Sequence, residues 1–473
     1  MKASAAPVPL AGPKGSLLLG NLSGFGRNPL RFLENCVVEF GDVVALRFGN
    51  KRVYLLNNPS DIEQVLATQS RNFRKTIGYR TPFMRRLFGY GLLTSEGELW
   101  TRQRRLAQPA FHRDRIANYA NVIVRYTEEM LADWKPNDHR NIHEAMMRLT
   151  TRVVVRTLFD SDVPREIDSL GEASEAVMKR FTMQWSWWRL LLGILPSPTQ
   201  WRFEKVMRQL DEYIFGLIAE RRRTGRDAGD LLSMLLLARD EDGSGMEDQQ
   251  LRDELTTLMV AGLDTTALAL SWGFYLLAKN PDAAEKLSRE VRTVLGTRAA
   301  GFSDLPQLPY TEMVIKESMR LFPPAWLVGR EAMVPSEISG TPIAAGDSLV
   351  VSQWLQHRDG RNFPEPLKFS PERWTDEASK KLPKFVYFPF GGGPRICIGS
   401  SFAMMEAVLV LATVAQKFRV LTSPAYEVEP WASITLQPRG GIWLHLAAAN
   451  ESRDDVDGPD AMAKTGAGHD HGK

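Results

Sequence analysis

Along most of this chain apolar residues recur every three to four positions, the period of a helix buried on one face. The pattern predicts helices over 29–40, 59–68 and 98–119, continuing through 120–160. Two or more further helices fall within 162–230, separated by Gly193-Ile-Leu-Pro196-Ser-Pro198. An acidic, glycine-bearing turn follows at Asp240 to Gly245, and Ser244-Gly-Met-Glu247 has the spacing of a capping box. From there one helix is predicted to reach Lys279, ended by Asn280-Pro281, which also opens the next. At 1.5 Å per residue, its roughly 33 residues would span about 50 Å. Its middle, Leu258 to Leu270, is apolar nearly all round and too irregular for heptads, so it reads as the buried spine of a large domain. Helices at 282–296, 309–321 and 400–418 complete the helical text.

Elsewhere the period drops to two. Asp42 to Asn57 alternates around Gly49-Asn50, which predicts a β-hairpin, and Pro323–Val351 and Phe418–Leu446 read as short strands. Residues 70–96 have no clear period but carry Phe83, Met84, Leu87 and Phe88, which marks a functional rather than a disordered loop. The segment Phe181-Thr-Met-Gln-Trp185-Ser-Trp187-Trp188 is the most aromatic of the chain and reads as core, substrate lid or membrane-contacting surface. Residues 1–24 read as an extended leader and 447–473 as a disordered polar tail, leaving one domain over 25–446 without internal repeats.

Composition narrows the class. Of 473 residues 44% are apolar and 24% charged, ordinary for a globular protein, and no Pro/Gly/Ser linker divides the chain. A net charge of +3 gives no footing for nucleic acid. The two cysteines, Cys36 and Cys397, cannot build a disulfide framework, which fits a reducing compartment. Clustered zinc ligands are missing. Leu17-Leu18-Leu19 is too short for a membrane span or a signal peptide, so the expectation is a soluble, cytoplasmic protein.

The chemistry concentrates around Phe390-Gly-Gly-Gly-Pro-Arg-Ile-Cys397-Ile-Gly399. A cysteine at the start of a helix meets unpaired N–H groups and the positive end of the helix dipole, which favour a thiolate. A thiolate is a good iron ligand, although a lone cysteine is more often a small buried hydrophobe. The spacing F-x-x-G-x-R-x-C-x-G resembles the haem-binding signature of the cytochrome P450 family. Three further elements carry the same resemblance. Ala261-Gly262-Leu263-Asp264-Thr265-Thr266 places an acid and two threonines in the apolar middle of the long helix, costly unless hydrogen-bonded. On its own it also fits polar packing between helices. Glu317 and Arg320, three apart on one helix face, precede Pro371-Glu-Arg373-Trp374, where the family usually has Phe for Trp374. Trp100 and Arg104, four apart, match the family's W-x-x-x-R element, and the basic residues around them also suit a solvated helix face.

The resemblance covers roughly 25–446 and implies a mainly α, single large domain with small β-sheets. It implies haem b between the long helix and the Cys397 loop, with Cys397 as axial ligand. Thr265 and Asp264 would deliver protons. Trp100, Arg104, Arg330 and Arg395 would hold the propionates, with Phe390, Gly393, Gly399, Ala261 and Gly262 against the cofactor. Glu317, Arg320 and Arg373 would form a buried triad that supports the cysteine loop. Phe83, Met84, Leu87, Phe88, Trp185, Leu258, Ala325, Trp326, Leu327 and Ile434 would line an apolar substrate pocket. The implied reaction inserts one atom of O2 into a hydrophobic molecule, with a fatty acid expected first and a terpenoid or steroid as the alternative. Electrons would come from a separate ferredoxin and its reductase, with the arginines of 102–115 suited to an acidic partner. A haem-thiolate sensor and a haem-free helical scaffold are the readings from other classes.

Overall fold

The computed structural model describes residues 11–161 and 198–449. Trp185, the rest of the aromatic 181–196 stretch and the chain beyond 449 lie outside the described residues.

Residues 11–27 are not an extended leader. Ser16 and Gly20 pair, Gly20 pairs with Phe48, and Leu22–Arg27 is a short helix, α1. Asn21 ties the segment down: its Oδ1 accepts from Arg47 N–H (2.8 Å) and its Nδ2 donates to Pro13 O (3.0 Å). Helix α2 spans Pro29–Phe40 as the periodicity predicts, with Asn28 capping Arg31 N–H and Pro29 at its first turn. The predicted hairpin is β1 (Val43–Phe48) and β2 (Lys51–Leu56), in register Val44↔Leu55. Helix α3 (Pro59–Glu63) continues into a wide π-type turn, Gln64–Thr68. The aperiodic stretch holds β3 (Phe73–Lys75) and α4 (Pro82–Phe88).

Helix α5 is Gly97–Ala107 and α6 is Arg113–Leu131, so the helix expected over 98–119 breaks. Pro109 sits at the break, in a 3₁₀ turn, where its missing N–H cannot carry the ladder on. Strand β4 (His139–Asn141) leads into α7 (Ile142–Phe159). Then come α8 (Pro198–Thr224), α9 (Leu231–Leu237) and the spine α10 (Asp248–Lys279). The capping box at Ser244 does not form. Glu247 is the N-cap without a side-chain bond, and the Ser244 hydroxyl accepts from Arg102 instead. Helix α10 has the length and apolarity of a membrane span, but 78% of its most apolar window is buried among other elements, which makes it a core helix.

Helices α11 (Pro281–Leu295) and α12 (Pro309–Leu321) lead to β5 (Val328–Ala332), β6 (Ser336–Ile338), β7 (Thr341–Ile343) and β8 (Ser348–Val351). After α13 (Gln353–Gln356) and α14 (Asp376–Ser379), α15 (Ser400–Lys417) follows the cysteine. Strands β9 (Phe418–Leu421), β10 (Pro430–Ala432), β11 (Leu436–Pro438) and β12 (Trp443–Ala448) end the described chain. One five-stranded sheet runs β1-β2-β8-β5-β3; the others have two or three strands. The largest core forms where α10 meets α7, α8, α12 and α15, so α10 and α15 stand on opposite sides of the space that Cys397 faces.

Candidate active site

The cysteine loop is shaped by glycine. Gly391 and Gly393 have φ of +72° and +65°, where other residues are strained. A Cβ on Gly393 would also lie 1.9 Å from Leu66 O, so the loop can approach the π-type turn only without a side chain. Cys397 N–H donates to Phe390 O at 2.9 Å, closing the loop just before α15. The Cys397 side chain is open to an internal cavity rather than to bulk solvent. Leu258, Ala261, Gly262, Thr265 and Thr266 of α10 form the facing wall, and Gly399 and Phe402 lie beside the sulfur. Burial pushes the thiol pKa up, while the Gly399 N–H and the nearby Arg104 pull it down. Burial wins, so the helix start alone does not yield the thiolate expected from sequence; a bound metal ion would supply that charge and deprotonate the sulfur.

At one edge of this site cations outnumber anions. Lys75 and Arg330 are buried, and Arg104 and Arg395 half-buried. Arg395 stacks 4.0 Å over the Trp100 ring, donates to Ser95 O at 3.0 Å and pairs with Glu96. Arg104 donates to Ile396 O at 2.8 Å, and Arg330 to Gly329 O at 2.9 Å. Lys75 donates its ammonium protons to Leu92 O and Leu93 O, and its backbone N–H to Glu96 Oε1. Burial, with Arg395 and Arg330 adding to it, holds the Lys75 ammonium well below its usual pKa. Burial likewise lowers Arg330, and lowers Arg395 to about 10 against the pull of Glu96. The neighbouring Glu254 is pushed by burial to about 8, so it carries little negative charge at neutral pH. Among the described residues Glu96 is thus the one effective counter-charge for Lys75, Arg330 and Arg395, while Arg104 has Cys397 as its charged neighbour. A site so built calls for anions, and two carboxylates on a flat cofactor fit it. Sequence reading identified Trp100 and the three arginines but not Lys75, nor Tyr79, whose half-buried phenol stands near Arg330. A single lysine in a three-residue strand leaves no periodic signal.

On α10, Thr265 faces the cavity and its hydroxyl donates to Ala261 O at 2.7 Å. Asp264 turns the other way: it is 2% exposed, and its Oδ1 accepts from Gln437 Nε2 of β11 at 3.0 Å. Consecutive helix positions point about 100° apart, so the acid and the hydroxyl do not share a face. Gly262 lines the cavity, and a Cβ there would reach 3.0 Å from Val154 Cγ2, so it also lets α7 pack closely. Behind Thr266, Glu406 of α15 is fully buried, and burial pushes it to about 8 against the opposing pull of the Thr266 hydroxyl.

Comparison with known proteins adds to this geometry. The cytochrome P450 family model matches residues 10–444. Cyclooctatin synthase of Streptomyces melanosporofaciens is 37% identical over 427 residues, covering 90% of this chain and 92% of that one. Cyclooctat-9-en-7-ol 5-monooxygenase of the same organism is 36% identical, over 86% and 88% of the two chains. Pentalenene oxygenase of Streptomyces avermitilis is 32% identical, over 89% and 93%. The chain belongs to the cytochrome P450 family. Its fold is the expected mainly α one, and its chemistry is that of a haem-thiolate monooxygenase.

In this cytochrome P450 the expected triad is closed and gains a member. Arg320 is fully buried and grips Glu317 through two 2.8 Å bonds, Nε to Oε2 and Nη2 to Oε1. Its remaining protons go to His357 O (2.8 Å), Pro366 O (2.6 Å) and Lys368 O (3.1 Å). Arg373 Nε stands 3.4 Å from Glu317 Oε1 and its Nη2 donates to Glu365 O. Trp374, the departure from the family pattern, donates its indole N–H to Glu317 Oε2 at 2.9 Å, which a phenylalanine could not do.

A second cavity of about 380 Å³ lies between the five-stranded sheet, α1 and the β10–β11 hairpin. Met84, Trp326, Leu327 and Ile434 line it, and Leu258 lines the cysteine cavity. Phe83, Leu87 and Phe88 line neither; they pack into the main core, Phe83 with its ring 5.1 Å from Phe203 of α8. Ala325 is also absent from both walls. Apolarity alone does not separate a core face from a pocket face. The basic surface expected of 102–115 is partly spent inside the molecule: Arg102 and Arg105 both pair with Asp240, and Arg105 also with Glu241.

Proposed function

We propose that this cytochrome P450 oxygenates a terpenoid, a hydrocarbon or an alcohol derived from one, in the cytoplasm with electrons from a separate ferredoxin and its reductase. Haem b, bound through Cys397, would supply oxygen activation and transfer. Lys75, Arg104, Arg330 and Arg395, with Trp100 as a stacking platform, would hold its propionates. Thr265 presents its hydroxyl on the cavity side of α10, its proton resting on Ala261 O at 2.7 Å, and Asp264 stands behind it as the proton source. The apolar walls exclude water and orient the substrate by shape.

What carries the substrate class is the likeness to three relatives named for cyclooctatin, cyclooctat-9-en-7-ol and pentalenene; the apolar lining of the 380 Å³ cavity, with Lys51 exposed at its rim, suits a hydrophobic molecule. That likeness favours a terpenoid over the fatty acid first expected. The test is a reduced carbon-monoxide difference spectrum followed by titration of the ferric protein with pentalenene, other cyclic terpenes and saturated fatty acids. A thiolate-type Soret band with a low-to-high-spin shift from terpenes alone is expected. A shift from fatty acids alone would return the reading to fatty-acid hydroxylation, and the lack of a thiolate-type band would end both.

A further inference from the structure

Asp264 belongs to a small buried network that the signature motifs do not contain. Gln437 Nε2 donates both to Asp264 Oδ1 (3.0 Å) and to Thr435 Oγ1 (2.8 Å). The Thr435 hydroxyl in turn bonds the Asp264 carboxyl. With both amide protons of Gln437 engaged, its carbonyl oxygen is left as the acceptor for His143 of α7, whose Nδ1 lies 3.2 Å from Ser271 Oγ. Asp264 Oδ2 is buried and has no hydrogen-bond partner. The hairpin that carries Gln437 is pinned by two indoles: Trp326 donates to Ser433 O (2.9 Å) and Trp272 to Leu436 O (3.0 Å). Its tip, Ser433 and Ile434, is part of the wall of the 380 Å³ cavity.

We propose that Gln437, braced by Thr435 and His143, is a positioning residue that holds the Asp264 carboxyl against the β10–β11 hairpin and so sets the proton supply to the Thr265 side of α10. The inference rests on the monooxygenase reading and on Asp264 as proton source. Its physical basis is that a buried carboxyl with two donors on one oxygen stays where those donors are. The surroundings are simple. Among the described residues the groups acting on Asp264 are Gln437 and Thr435, both of β11 and its turn, and no charged side chain. His143, reached through Gln437, is pushed by burial to about 4 and is uncharged at neutral pH. Burial raises the Asp264 pKa and the two donors lower it. Removing Gln437 therefore raises it further.

The test uses the ferric holoenzyme without substrate. The carboxyl stretching band lost in Asp264→Asn identifies Asp264 in the infrared spectrum, and the band is followed against pH. In Gln437→Met, which keeps length but has no donor, the band should move to higher frequency and its titration midpoint should rise by about one pH unit. The solvent isotope effect on peroxide release during turnover with a ferredoxin system should change severalfold in Gln437→Met, and not at all when Asp264 is already asparagine. An unmoved band, or an isotope effect that changes equally in the Asp264→Asn background, overturns the proposal. An intact carbon-monoxide band in each variant separates that failure from failure of the monooxygenase reading. Should Gln437→Met lose that band, the near-isosteric Thr435→Val removes the other donor and is expected to shift the infrared band in the same direction; no shift there is equally decisive against it.

Discussion

Of the places where this molecule buries a guanidinium group, those around Arg320 and Arg330 are built on opposite principles. Around Glu317, every described proton of Arg320 that the fold encloses has an acceptor, and the carboxylate collects Arg320, Ser370 N–H and Trp374 as donors. Around Arg330, three basic groups (Lys75, Arg330 and Arg395) share Glu96, and Arg330 itself finds a carbonyl of its neighbouring residue. The closed network needs nothing further and works as scaffold. The open one is under electrostatic load that only an anionic ligand relieves. The distinction follows from desolvation: a buried charge is tolerable once paired, and costs several kcal/mol otherwise.

The contrast can be broken at either end. Arg320→Ala should have the largest effect, because it strips Glu317 of its two-bond partner and leaves Arg373, 3.4 Å away, as its remaining cation, at a cost of about 3–5 kcal/mol. The expected result is little or no folded, haem-bearing protein on expression, read from the Soret absorbance per unit protein. Next comes a pH effect at the acid behind Thr266. Glu406 is raised from an ordinary 4.5 to about 8, so the folded state holds a proton that the unfolded chain releases between those values. Stability contributed by that proton is complete below about 4.5 and lost as pH rises towards 8. Denaturant titrations of Glu406→Gln across that range should show a flatter stability profile than the wild type, with Glu254 contributing a residual slope of the same sign.

Arg330→Met should invert its sign with the cofactor. In the haem-free protein it removes an under-paired buried charge and should be neutral or stabilising by about 1–4 kcal/mol; in the holoprotein it should speed haem loss to an acceptor globin. Destabilisation of both forms would place Arg330 with Arg320, as scaffold. The smallest effect is expected from Trp374→Phe, which deletes one donor of a carboxylate that keeps the others. A loss of about 1–2 kcal/mol by urea denaturation, with the carbon-monoxide band unchanged, is the expected outcome.

Much of this was legible from the order of residues alone. Helix α2 and the β1–β2 hairpin occupy the ranges their periods predict, because one face of each meets the core. The signature elements were readable because each is local: Phe390 to Gly399 forms one loop, and Glu317 and Arg320 are neighbours on one helix face. What stayed hidden depends on partners far along the chain. Gln437 meets Asp264 across 173 positions, and Arg395 takes the Trp100 ring that the W-x-x-x-R spacing assigned to a shared face with Arg104. Phe83, Leu87 and Phe88 were apolar for the core rather than for a substrate. At Ser244 the capping-box letters are present, but Arg102 competes for the hydroxyl.

The load around Lys75, Arg104, Arg330 and Arg395 also bears on how the protein is assembled. Were haem propionates to neutralise those charges, cofactor capture and the final consolidation of this edge would be one event. A porphyrin with esterified propionates has the same outline and the same iron, yet it would leave four cations crowded beneath its edge. Chains that received such a ring, or none, would keep those charges unrelieved, and this edge would be the first place to register incorrect loading.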